Sequence, residues 1–86
     1  MKVLFHKCAL EDYIFFQKHD KAIFNRINLL IKDIAVKPFS GIGKPESLKY
    51  SLSGFWSRRI NQEHRLVYSV EKEVIYILKC KYHYSK

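Results

Sequence analysis

The sequence predicts an α+β fold in which two N-terminal helices pack on one face of a twisted, mainly antiparallel sheet of four to five strands. Three observations carry that expectation. Apolar residues recur at helical spacing through the first half of the chain, and beyond residue 54 the spacing shortens to alternate positions. Between the two regimes lies a loop rich in glycine and proline, P-F-S-G-I-G-K-P-E-S. A length of 86 residues leaves room for one modest core, so residues 1–86 are read as a single domain.

Residues 2–5 are short and apolar, an opening strand that pairs on the same sheet as the later ones. Residues 9–18 carry Leu10, Tyr13 and Ile14 at helical spacing. Asp20 is a natural N-cap for the second helix, in which Ile23, Ile27, Leu30, Ile31 and Ile34 form one apolar stripe until Pro38 forbids continuation. In the loop that follows, Gly41, Gly43 and Pro45 supply unusual backbone angles and rigidity. Residues 55–60 and 65–70, joined by Asn61-Gln62-Glu63-His64, and residues 74–82, after the turn Glu71-Lys72-Glu73, then form a three-strand antiparallel meander. Residues 48–50 are a candidate for a short strand ahead of it. The last strand is apolar on both parities, Val74, Tyr76 and Leu78 against Ile75 and Ile77, which places it inside the sheet.

Charge narrows the function. Sixteen Lys+Arg against eight Asp+Glu leave a net charge of +8, which calls for an anionic partner, nucleic acid first and an acidic protein second. No segment approaches the roughly 20 apolar residues needed to cross a bilayer, and no secretory leader is recognisable, so a cytoplasmic protein without a membrane partner is expected. Cys8 and Cys80 form no C-x-x-C pattern and suit reduced, packed thiols better than a disulfide or a metal site.

The stretch S-G-F-W-S-R-R-I-N-Q-E-H-R-L-V-Y, residues 53–68, loads three arginines and a histidine onto one hairpin. Strand alternation turns Trp56, Ile60, Leu66, Tyr68 and Val70 inward and Ser57, Arg59, Arg65, Val67 and Ser69 outward. Arg59 and Arg65 therefore share the open face and repel unless an anion sits between them, and the planar guanidinium fork suits phosphate oxygens. Pairing with Glu63 or simple solvation is the plainer reading. Arg58, of opposite parity, is assigned to an edge or a structural pair. The loop brings Lys44, Glu46 and Lys49; cations at i−2 and i+3 favour an ionised Glu46, available as proton acceptor or counter-ion, or merely solvated. His83, between tyrosines in the terminal K-C-K-Y-H-Y-S-K, is a candidate proton donor, or else part of a plain tail or terminal strand.

A carboxylate, a histidine, several cations and tyrosines match the demands of RNA cleavage through the 2′-hydroxyl, with no metal or other cofactor required. Tyrosines can stack a splayed base.

The run G-K-P-E-S-L-K-Y-S-L-S-G-F-W-S-R-R-I-N-Q-E-H-R-L-V-Y, with E-D-Y-I-F-F-Q, I-N-L-L-I-K-D-I and terminal C-K-Y-H-Y, resembles the YoeB/Txe branch of the RelE-type bacterial toxins over essentially the whole chain. The resemblance implies the RelE-like, microbial-RNase-like fold and a ribosome-dependent mRNA endonuclease of a type II toxin-antitoxin module, cutting translated mRNA in the ribosomal A site. It implies Glu46 as general base, His83 as general acid and Arg65 as stabiliser of the transition-state phosphate. Lys49 and Arg59 bind the scissile phosphate on the same grounds, with Lys44 beside them, and Tyr84 positions the substrate. Its partners are mRNA, the ribosome and a YefM/Axe-like antitoxin with an acidic, disordered tail, and homodimers occur in the branch. Ser85 and Lys86 extend past the H-Y at which close relatives often stop, and Lys86 is a further candidate phosphate contact. Two other classes fit the basic composition: a non-catalytic RNA- or DNA-binding module, and a protein that only binds an acidic antitoxin.

Overall fold

The computed structural model describes residues 1–82. Its elements are β1 (Lys2–Phe5), α1 (Lys7–His19), α2 (Lys21–Val36), β2 (Glu46–Ser47), a 3-10 turn (Tyr50–Leu52), β3 (Trp56–Arg59), β4 (Arg65–Glu71) and β5 (Val74–Lys79). Helix α1 begins two residues earlier than its apolar spacing suggests, because the His6 side chain caps it by accepting the Cys8 N–H through Nδ1 at 3.3 Å. Asp20 serves both helices. Its N–H donates to Phe16 O at 2.8 Å and closes α1, while its Oδ1 accepts the Ile23 N–H at 3.2 Å and opens α2.

The sheet runs β1-β5-β4-β3-β2, with β1 parallel to β5 and every other pairing antiparallel. Phe16 of α1 and Ile27, Leu30 and Ile34 of α2 meet Leu66, Tyr68, Ile75 and Ile77 on one face of that sheet. Fully burying each such aliphatic side chain stabilises the fold by roughly 1.5–3 kcal/mol. Strand β5 does lie inside the sheet, between β1 and β4, with Ile75 and Ile77 buried under the helices and Tyr76 on the opposite face 38% exposed. Among the described residues no helix is long and apolar enough to cross a membrane.

Four expectations need correction. The short strand ahead of the meander is Glu46–Ser47, not residues 48–50: Leu48 still donates to Phe55 O at 2.9 Å, but Tyr50 takes a left-handed φ of 59° and opens the 3-10 turn. Strand β5 ends at Lys79 instead of continuing to residue 82, because Tyr82 leaves the ladder to bond His64 and Arg65. Ser57 and Val67 do face away from the helices, yet both are buried, so the open face is covered at its centre. Only one thiol is packed. Cys80 is buried, its Sγ donates to Ala9 O at 3.3 Å, and burial pushes its pKa up to about 12; Cys8 is exposed.

Arg58 is fully buried on the helix side of β3. Its Nε donates to the Tyr68 hydroxyl at 3.1 Å and Nη1 to Asp33 Oδ2 at 2.5 Å and Ile42 O at 3.1 Å. Its Nη2 donates to Lys37 O and, at 2.6 Å, to Ser40 O. Tyr68 in turn donates to Pro38 O at 2.7 Å, and burial raises its pKa. One guanidinium thus ties the end of α2 and the 37–42 loop to the sheet. Gly41 (φ 107°) must be glycine here, since a Cβ would come within 2.1 Å of Asp33 Oδ2.

Arg58→Ala orphans this whole set and is expected to cost about 3–5 kcal/mol of unfolding free energy, measured by denaturant titration. The hydrogen bond from Arg58 holds Asp33 below its usual 3.8. The stability it contributes is therefore complete above that value and is lost as pH falls through the lower, folded-state one. Acid unfolding of Asp33→Asn should show a shallower fall than wild type below about pH 4; parallel curves would contradict the assignment.

Candidate active site

Glu46 stands at the sheet edge, where β2 pairs with β3 through Glu46↔Ser57. Register continues through Ser57↔Val67 and Arg59↔Arg65. Residues opposite one another point the same way, and so do residues two apart on one strand. Glu46, Arg59 and Arg65 thus project from the same face. Facing pairs place Arg59 and Arg65 with Cβ atoms roughly 4.5–5.5 Å apart, and the diagonal puts Glu46 about 7–8 Å from Arg59. The Arg59 N–H donates to Gly43 O at 2.7 Å, which brings exposed Lys44 (φ 52°) to the end of β3. Gly43 permits this approach: a Cβ there would lie 2.8 Å from Leu30 Cδ2 and 3.2 Å from Arg59 O.

Lys49 is exposed where the chain leaves β2 for the 3-10 turn, and the alternation that aims Glu46 at the Ser57 row does not extend to it. His83, Tyr84 and Lys86 lie outside the described residues. The proposed pairing of the outward arginines with Glu63 does not occur. Glu63 lies 3.6 Å from His64 Nε2, and Arg65 Nη1 donates to the carbonyls of Asn61 (2.6 Å), His64 (3.0 Å) and Gln62 (3.4 Å). Those bonds hold the guanidinium against the hairpin loop.

Two residues escaped the sequence reading. Arg26 of α2 joins Arg59, Ile60, Asn61, Gln62 and Arg65 around a cleft of about 350 Å³. No carboxylate among the described residues lines it, so three guanidiniums border one hollow. Arg26 adjoins Ile27 off the apolar stripe and carried no signal of its own. His64, read as a turn residue, is buried, and its Nδ1 accepts the Tyr82 N–H at 2.8 Å. The Arg65 N–H donates to Tyr82 O at 3.1 Å, so the last described residue is held at both ends. Asn61 at the head of the turn was the available hint: its Oδ1 accepts the N–H groups of Glu63 (2.9 Å) and His64 (2.7 Å).

Register puts one carboxylate on the outer face of the sheet with Arg59 and Arg65, and those two arginines also border the cationic hollow, which suits a phosphate-sized anion. Among the described residues no group of His, Cys, Asp and Glu is placed to hold a metal ion. Residues 5–84 match the family described as the YoeB-like toxin of the bacterial type II toxin-antitoxin system. The chain belongs to that family. It is 55% identical to Toxin YoeB of Synechocystis over all of both chains. A solved heterotetrameric YoeB-YefM complex from Staphylococcus aureus superposes with a TM-score of 0.92 at 50% identity, covering 98% of each chain. A YoeB dimer from the same species gives the same score, identity and coverage. The α+β architecture is thus that of the YoeB toxins.

If the arginine-lined cleft is an anion site, pyrophosphate at constant ionic strength should raise the melting temperature of wild type through native-state binding. Arg26→Ala/Arg59→Ala should show little of that rise; an equal rise in both would remove the cleft from consideration.

Proposed function

We propose that this chain is the endoribonuclease toxin of a type II toxin-antitoxin system, cutting translated mRNA in the ribosomal A site and so inhibiting translation. The observation that carries the reading is the register that sets Glu46 on one face with Arg59 and Arg65, in a member of the YoeB-like toxin family. Residues 1–86 act as one domain, in the cytoplasm where ribosomes are.

In this mechanism Glu46 removes the 2′-hydroxyl proton, and the oxygen attacks the adjacent phosphorus. Arg65, with Arg59, neutralises charge gathering on the equatorial oxygens, and His83 protonates the departing 5′-oxygen. Lys49 and Lys44 add positive charge for the phosphate, and Tyr84 holds the substrate near the acid. Acid, base and cations all come from side chains, so the reaction is assigned no metal. An exposed site on so small a surface has little means of holding flexible mRNA in line; the ribosome supplies that positioning, and the +8 charge favours docking on its RNA. Relatives solved with YefM and as a dimer support an antitoxin partner of the YefM/Axe type and a homodimer; an acidic tail on that antitoxin would complement the +8 charge.

Mapping mRNA 5′ ends on translating ribosomes tests the reading. Glu46→Gln is expected to slow cleavage by about 10²–10⁴-fold, the usual worth of a general base, with ribosome binding preserved. Cleavage and binding lost in equal measure would favour a non-catalytic RNA-binding module instead; growth arrest without new 5′ ends would favour a protein that acts by binding alone.

A further inference from the structure

We propose that Arg26 is a substrate-binding residue: with Arg59 and Arg65 it holds an RNA phosphate that flanks the scissile one, in the cleft at the end of the hairpin. This role rests on the nuclease reading above and deepens it, because it concerns how the strand is held while Glu46 acts on the neighbouring linkage.

The cleft and the Glu46 face share two arginines but extend in opposite directions from them. Glu46 pairs with Ser57, two residues before Arg59, so it stands about 6.6 Å back along β3. The cleft lies onward from Arg59, around Ile60, Asn61 and Gln62, with Arg26 on its far wall, and Glu46 does not line it. A phosphate before Glu46 and a phosphate in the cleft are therefore two different phosphates. One strand of RNA supplies both, since it carries a charge at every nucleotide, at intervals of about 3.4 Å when helical and more when splayed. Arg59 and Arg65 then stand between consecutive charges of the substrate.

Charge and bonding separate this cleft from an ordinary solvated corner. Arg26 and Arg65 are half-buried, and Arg59 is exposed. Among the described residues neither Arg26 nor Arg59 has an ion-pair partner; the ion pairs there join Arg58 to Asp33 and His64 to Glu63. Arg65 commits Nη1 to the carbonyls of Asn61, Gln62 and His64, while among the described residues its Nε and Nη2 have no hydrogen-bond partner. Three guanidiniums around one hollow repel one another, and a phosphate relieves that repulsion while accepting from their planar forks. Arg26 also comes from the helix layer, whereas Arg59 and Arg65 belong to the sheet, so an anion between them is gripped from two sides. A packing role alone, with the stem of Arg26 lying along buried Ile60, needs the methylenes and not the charge.

Charge can be removed from each partner in turn. Arg26→Met keeps an unbranched apolar stem and deletes the guanidinium, and Arg26→Lys keeps a positive charge. On the RNA, a methylphosphonate neutralises one linkage at a time on either side of the cleavage site. In single-turnover cleavage on saturating ribosomes, Arg26→Met is expected to cut about 10–100-fold more slowly, the worth of a hydrogen bond to a charged group, and Arg26→Lys to recover part of that loss. One flanking methylphosphonate should slow wild type to a similar degree and Arg26→Met little further, the non-additivity of a pair in contact. Melting temperature and half-saturating ribosome concentration should stay near wild type. Methylphosphonates that slow wild type at no flanking position, or slow wild type and Arg26→Met equally, overturn the proposal. So does an Arg26→Met effect confined to the half-saturating ribosome concentration, which would assign the cleft to ribosomal RNA. Binding of a single-stranded 2′-deoxy oligonucleotide, which lacks the attacking hydroxyl, keeps the two readings apart. If Arg26→Met lowers the salt slope of that binding by about 0.7, the value for one phosphate on a single strand, while wild type cuts no RNA, the nuclease reading falls and the cleft remains a phosphate site. A wild-type chain that cuts RNA without any dependence on Arg26 leaves the nuclease reading and overturns the cleft.

Discussion

The structure depends on one buried guanidinium. Arg58 sits among aliphatic side chains, where an unpaired charge would be prohibitive, and is matched by Asp33, the Tyr68 hydroxyl and three loop carbonyls. The interaction dictates the course of the chain between α2 and β2: residues 37–42 must curl so that their carbonyls converge on it. That curl brings Gly43 O to the Arg59 N–H and starts β2 in the register that sets Glu46 opposite Ser57. The candidate base is therefore placed by an arginine on the other side of the sheet.

Strand alternation then divides the charged hairpin by role. Arg58 and Arg59 are neighbours in sequence and opposite in environment, one buried in a polar knot and the other exposed beside a cationic cleft. Arg65 faces Arg59, but its Nη1 is occupied by the loop carbonyls, which limits how far the guanidinium can retreat from its like-charged partner. His64 does not line the cleft, and it binds backbone instead. The single hairpin from Trp56 to Glu71 holds a buried structural cation, two cations on the outer face and a buried histidine that binds backbone.

Much of this was legible in the sequence because it follows from local rules. Helix α2 announced itself through Asp20, one apolar stripe and Pro38, and the meander through period-two spacing and polar turns. The shared face of Arg59 and Arg65 followed from parity alone. What stayed hidden depends on contacts distant in sequence. Parity puts Arg58 on the helix side but cannot disclose that Asp33 and the carbonyls of residues 37, 40 and 42 await it. Nothing local separates His64 from the other turn residues, since its partner lies eighteen positions on. The early end of β5 has the same cause: residues 80–82 look like strand, yet Tyr82 finds better partners across the hairpin. The exposed Cys8 shows the converse, a residue of an ordinarily buried type left outside by a helix start that a histidine cap moved.

The pairing of β1 with β5 has a temporal side. It is the sheet's single parallel contact, and it joins Lys2 to Val74 and Phe5 to Ile77, nearly the full length of the chain. Strand β1 is synthesised before the rest of the sheet and has no strand neighbour until β5 follows, so the sheet cannot close during synthesis of the helices or of β3 and β4. A nascent chain of this kind carries its helices and most of its basic residues into solution before the hairpin is braced, which delays completion of the sheet behind the cationic face until β5 is available.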